Sequence, residues 1–156
     1  MNYTTLILTA TNYYLKLLDV SNFELEMGPF KILGRVDKRG PLYVFQYLDD
    51  KLGSYADLLT AEGYSKGTKR AGHSHLDELT KYVGLGRIAH HVIKDPATDE
   101  VTIETYDQGE MIHIPAGVPY MEEGLGDLNV LLALKFGKPY KPISHPVLRK
   151  IVEEQI

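Results

Sequence analysis

The sequence predicts an all-β protein: one small barrel finished by a short C-terminal helix. Three observations predict it. Short apolar or alternating runs recur along most of the chain, turn-forming residues separate them, and a single helical stripe stands at the end. Many short strands with such punctuation argue for a sandwich or a barrel.

The predicted strands are Thr5–Ala10, Tyr13–Val20, Phe23–Met27, Phe30–Val36, Leu42–Leu48, Lys81–Leu85, Ile88–Ile93, Val101–Tyr106, Glu110–Ile114 and Asn129–Phe136. Asp37-Lys38-Arg39-Gly40-Pro41 and Asp95-Pro96-Ala97-Thr98-Asp99 break these runs with residues that favour turns. A short helix is expected over Tyr55–Glu62, with Ser54 as its cap, Asp57 in its first turn and Gly63 at its end. A second helix is expected near Ser144, with Pro146 early, where a missing N–H costs little. Val147, Leu148, Ile151 and Val152 share a stripe, so this tail is expected to pack on the barrel or on a partner subunit. Without repeats or linkers, residues 1–156 read as one domain.

A chain of 156 residues can bury one core, and 44% hydrophobic with 24% charged residues is ordinary for a soluble domain. A net charge of −4 supplies no basic field for phosphate backbones, so no nucleic-acid partner is expected. The absence of cysteine excludes disulfides, thiolate metal sites and a thiol nucleophile, and suits a reducing cytosol. No apolar run is long enough to cross a bilayer, and Leu6-Ile7-Leu8 is too short for a signal segment. A cytoplasmic protein with no membrane partner is the expectation. Tyrosine is over-used, with 11 against 4 Phe and no Trp. Simple β-propensity explains this skew, and so does a concave face that meets a polar ligand.

The chemistry concentrates at His73 and His75. On a strand, residues two apart face the same side, so both imidazoles enter one space. Such a pair serves a metal or a substrate that exchanges a proton; two exposed histidines near a loop are the plainer alternative. The surroundings favour a site. Gly67 precedes His73 with five residues between them, Gly86 closes the next strand pair, and Gly109, Pro115 and Gly117 follow at matching intervals. Over roughly residues 67–140 the sequence resembles the two motifs of the cupin superfamily. The resemblance implies a cupin barrel, the jelly-roll-like double-stranded β-helix. Activity does not follow, because the fold hosts many chemistries.

The departures carry information. The metal-binding glutamate of the motif falls at Leu79 or Thr80, its last histidine at Tyr120 and its last asparagine at Gly124. Two imidazoles without an assured carboxylate make a weak divalent-cation site. Glu78, one position early, supplies the third ligand only if the turn after His75 is tighter by one residue. Tyr120 can instead act as an acid or as a hydrogen-bonding wall.

Arg70-Ala71-Gly72-His73-Ser74-His75 resembles the arginine–glycine–histidine signature of nucleotide-sugar cupins, the dTDP-sugar 3,4-ketoisomerases and epimerase-like cupins of capsule synthesis. Asp37-Lys38-Arg39-Gly40-Pro41-Leu42 resembles the turn that opens those domains, and the segment from Pro115 to Leu134 resembles their closing strands. The resemblance implies a sugar-nucleotide isomerase or epimerase that enolises a ketosugar through histidine acid–base chemistry. His73 and His75 match the family's histidine pair, one of which moves the proton, and Arg70 matches its arginine. By its own chemistry a guanidinium there binds phosphate or steadies an enediolate oxygen, and Tyr120 completes the expected catalytic set. No cofactor is expected on this reading, and a small-molecule sugar or sugar nucleotide is the expected partner. A divalent metal held by His73, His75 and Glu78 is the enzymatic alternative, as in cupin-type sugar-phosphate isomerases. A non-catalytic carbohydrate-binding cupin is the alternative from another class. The early strands and the tail exceed a minimal barrel, so a homodimer is expected. His90, His91, His113 and His145 fall outside the expected site, with His91 the first candidate for inclusion among them.

Overall fold

The computed structural model describes residues 22–49, 51, 53–134 and 141–155. The expected strands Thr5–Ala10 and Tyr13–Val20 lie outside them. Seven strands form one sheet, in the order β1 (Phe23–Met27), β2 (Phe30–Asp37), β3 (Gly40–Asp49), β4 (Ser54–Ser65), β11 (Leu128–Leu134), β6 (Leu79–Leu85), β9 (Met111–Ile114). Five form the other, in the order β12 (Ile143–Ser144), β5 (Lys69–Ser74), β10 (Tyr120–Gly124), β7 (Arg87–Val92), β8 (Thr102–Asp107). Every neighbouring pair is antiparallel. One helix, α1 (Pro146–Glu153), follows.

Strand β11 shows how the sequence sets the core. Residues 129–133 are all buried, an unbroken run where a half-exposed strand would alternate. Its two edges are paired with β4 and β6. Leu131 and Ala133 join Val83, Ile112, Ile114 and Tyr120 in one cluster, while Val130 and Leu132 join Tyr43 and Ala61 in another. Burying a side chain of this size contributes about 1.5–3 kcal/mol, so the strand anchors both clusters.

Two expectations are corrected. The helix expected over Tyr55–Glu62 is part of β4, hydrogen-bonded to β3 on one side and β11 on the other. Ser54 is a local capping signal, but a helix there would leave both neighbouring ladders unpaired, and tertiary pairing overrides it. The tail helix forms as expected, but its stripe divides. Leu148 and Val152 pack on Ile93 and Met121, whereas Val147 and Ile151 are exposed. Its cap is His145, one residue beyond the expected start, whose Nδ1 accepts from the Leu148 amide at 3.4 Å. No helix among the described residues is long and apolar enough to cross a membrane.

Candidate acid–base site

The site is built where β5 meets β10. Their register runs from Tyr120↔His73 to Met121↔Ala71, so Gly72 is an extra residue without a partner. Such a bulge reverses the in–out alternation. Arg70 and His73, three residues apart, would face opposite sides of a regular strand; here both line one cavity. Ala71 and Gly72 adopt φ of 75° and 82° to make the bulge. A Cβ on Gly72 would also stand 2.7 Å from the Cα of Arg149, so only glycine lets α1 sit this close to the strand.

Tyr120 is fully buried, and its hydroxyl lies 2.9 Å from Nε2 of His75 and 3.5 Å from Nε2 of His73. The histidine rings meet edge-on with centroids 4.8 Å apart. One phenolic proton faces two ring nitrogens, so the trio can hold a proton acceptor and a donor side by side. Burial, reinforced by the Lys81 charge and by His75, pushes His73 down to about 3. It is therefore neutral at physiological pH.

Beneath this trio lies a buried ion cluster. Lys81 Nζ donates to Glu62 Oε2 at 2.9 Å and to Glu122 Oε2 at 2.8 Å, and stands 5.2 Å over the Tyr120 ring. Burial opposes its charge, but the Glu122 and Glu62 carboxylates outweigh that and hold Lys81 well above its ordinary value. Burial raises Glu122 while Lys81 pulls it the other way. The Tyr64 hydroxyl, with one proton to donate, lies 2.9 Å from Glu62 Oε2 and 3.0 Å from Glu122 Oε2.

The cavity above has a volume of about 240 Å³, and its wall includes His73, His75, Tyr120, Lys81, Arg39 and Arg149. The structure thus brings His73, His75 and Tyr120 together as expected, with Arg70 in the same wall. Arg70, however, points its Nε to the Gly63 carbonyl and its Nη2 to the Gly40 carbonyl, each at 2.9 Å, and its guanidinium lies over Tyr64. It ties β5 to β4 and to the β2–β3 turn.

Glu78 is not part of the assembly. It is exposed on the loop before β6, and its Oε2 is 3.7 Å from Nε2 of His113, also exposed. Alternation along β6 explains this: Leu79 and Lys81 are buried, so an acidic residue would have to stand at 79 to face the histidines. The set His73, His75 and Glu78 does not fit a metal. Among the described residues, no group of three or more His, Asp or Glu gathers as a metal cage.

Of the adjacent histidines, His90 is the inward one, contrary to the preference for His91. His90 is 2% exposed, stands 5.5 Å from the Tyr120 ring, and is held down to about 4, by burial first and the Lys81 charge second. Its Nδ1 lies 3.9 Å from Glu122 Oε1, both buried and without a hydrogen bond. Register decides the orientation: His90 is paired with Glu122, which shares the inward face of β10 with Tyr120. His91, opposite outward-facing Met121, lies 3.8 Å from Glu123.

No protein-family profile matches the chain, and no curated protein matches it in sequence. Solved structures do match. Drosophila melanogaster CENP-C bound to CAL1 aligns with a TM-score of 0.57 at 12% identity, over 85% of this chain and 98% of that one. An oxalate decarboxylase of Bacillus subtilis, described for its Mn(II) centres, gives 0.57 at 17% identity over 80% of this chain. The fold is that of a cupin. The capsular polysaccharide assembling protein CapF of Staphylococcus aureus gives 0.52 at 20% identity over 72% of this chain. The chain spans about a third of the oxalate decarboxylase and CapF chains, 33% and 31%. At these identities the likeness concerns the fold.

Proposed function

We propose that this cupin is a sugar-nucleotide isomerase or epimerase that enolises a ketosugar by acid–base chemistry. The observation that carries the reading is the convergence of His73, His75 and one buried phenol, Tyr120, at a cavity. A base must be unprotonated to accept a proton, and His73 is held neutral, although a value of about 3 also makes it a weak base. One imidazole takes the proton from the carbon beside the carbonyl. The C–H electron pair becomes the C=C of an enediolate, and the carbonyl electrons move onto oxygen. Returning the proton to the former carbonyl carbon, while the neighbouring hydroxyl passes its own proton to the former carbonyl oxygen, shifts the carbonyl. Returning it to the same carbon from the other face inverts that centre. Tyr120 stands within reach of both histidines to pass the proton between the two sides.

The test incubates the protein with dTDP- and UDP-ketosugars and follows sugar NMR signals for a new carbonyl position or an inverted centre. Conversion by wild type, lost in His73→Asn, supports the proposal. A sugar nucleotide that binds and is returned unchanged would make the protein a binding module. Turnover that stops on chelation and returns with a divalent ion would make the metal-dependent alternative the better account.

A further inference from the structure

We infer that Arg149, from the C-terminal helix, binds the diphosphate of the substrate, a role the sequence motifs leave to Arg70. The inference rests on reading the cavity as a sugar-nucleotide site. Arg70 is 6% exposed and gives two of its N–H groups to main-chain carbonyls, so it is spent on holding β4 and the β2–β3 turn. Arg149 lines the same cavity with a side chain 34% exposed, whereas His73 and Tyr120 are 8% and 0% exposed. It therefore belongs to the more open side of the cavity, with His73 and Tyr120 on the more closed side and His75 half-buried. That is the order in which a sugar nucleotide with its ketosugar innermost would present diphosphate and sugar.

Arg149 is also held in place. Its backbone lies against Gly72, its Nη1 donates to the Ala71 carbonyl at 3.1 Å and its Nε to Glu153 at 2.9 Å. Its Nη2 has no partner among the described residues. The anchoring carboxylate is 60% exposed, too well solvated to neutralise the guanidinium strongly. A planar guanidinium fixed at two donors offers the rest of its fork to phosphate oxygens at little entropic cost. Its charge reaches the trio, since Arg149 is among the groups that lower His73.

Titration calorimetry with inorganic diphosphate, UDP and dTDP tests this directly. Wild type is expected to bind at least one of them, and Arg149→Gln to weaken that binding roughly ten- to hundredfold, as loss of a charge-assisted contact does. Arg149→Lys should recover part of the loss. Glu153→Gln removes the same ion pair but keeps the guanidinium, so it should leave affinity within about threefold. Lys150→Gln, an exposed charge outside the cavity wall, should change nothing. Absence of binding in wild type, or equal affinity in Arg149→Gln, would overturn the inference. So would equal losses in Arg149→Gln and Glu153→Gln, which would give Arg149 a structural role only. Diphosphate binding that depends on Arg149 without any sugar turnover would leave this inference standing and remove the isomerase reading.

Discussion

Replacing His73 by asparagine should flatten the acid limb of the stability curve. The folded protein holds this imidazole neutral down to about 3, against 6.5 for an ordinary histidine. As pH falls below 6.5 the unfolded chain takes up a proton that the folded one refuses. Stability on this account is fully present above 6.5 and is lost progressively as pH falls toward 3. Linkage puts the loss from this one group between pH 7 and pH 5 at about 2 kcal/mol. The size of the shift does not enter that figure, because the folded value lies below the whole interval. Glu122, which burial raises, contributes with the opposite sign, but it is common to both proteins and cancels in the comparison. Urea unfolding followed by far-UV circular dichroism at the two pH values gives the difference directly. Wild type should lose about 2 kcal/mol more than His73→Asn over that interval. Equal losses would show that His73 is not kept neutral by the fold, and the argument for it as a neutral member of the trio would fail.

Three further outcomes follow from the same geometry. Gly72→Ala must hold φ at 82° and place a methyl 2.7 Å from the Arg149 backbone, so it should cost about 3 kcal/mol or more; a melting temperature within about 2 °C of wild type would contradict the packing. Lys81→Met leaves Glu62 and Glu122 without their cation and should destabilise by about 3–5 kcal/mol in urea titrations, where an unchanged midpoint would deny the cluster its role. Glu78→Gln alters an exposed side chain paired with His113 and should leave turnover within about twofold, while a large loss of activity or of bound metal would return Glu78 to the site.

Much of this was readable from residues alone. Turn signals and alternation located most of the strands, and the His73–Ser74–His75 spacing located the site. The same period-two rule, applied beyond the motif, would have found more. Lys81 stands between Leu79 and Val83 on the inward face of β6, and Glu122 stands two residues from Tyr120 on β10. What strand periodicity cannot give is a break in strand periodicity. Arg70 reaches the inner face only because Gly72 adds a residue to β5, and the consecutive Ala71-Gly72 signal does not reveal which strand it opposes. Arg149 was beyond reach for another reason. Its helix is recognisable, but that it lands on the bulge is a tertiary fact, set by Leu148 and Val152 meeting Ile93 and Met121. Adjacent His90 and His91 could not be told apart without knowing that Glu122 faces inward opposite His90.

The central claim is that the trio His73, His75 and Tyr120 moves a proton at carbon. Solvent deuterium entering the sugar at the position beside the carbonyl reads that step without waiting for product. The measurement is NMR of a dTDP- or UDP-ketosugar in deuterium oxide with wild type, His75→Asn and Tyr120→Phe. Wild type should exchange that hydrogen; each variant should slow exchange by about 10²-fold or more while remaining folded. Exchange at equal rates in all three proteins, or none in a wild type that binds the sugar, would contradict it.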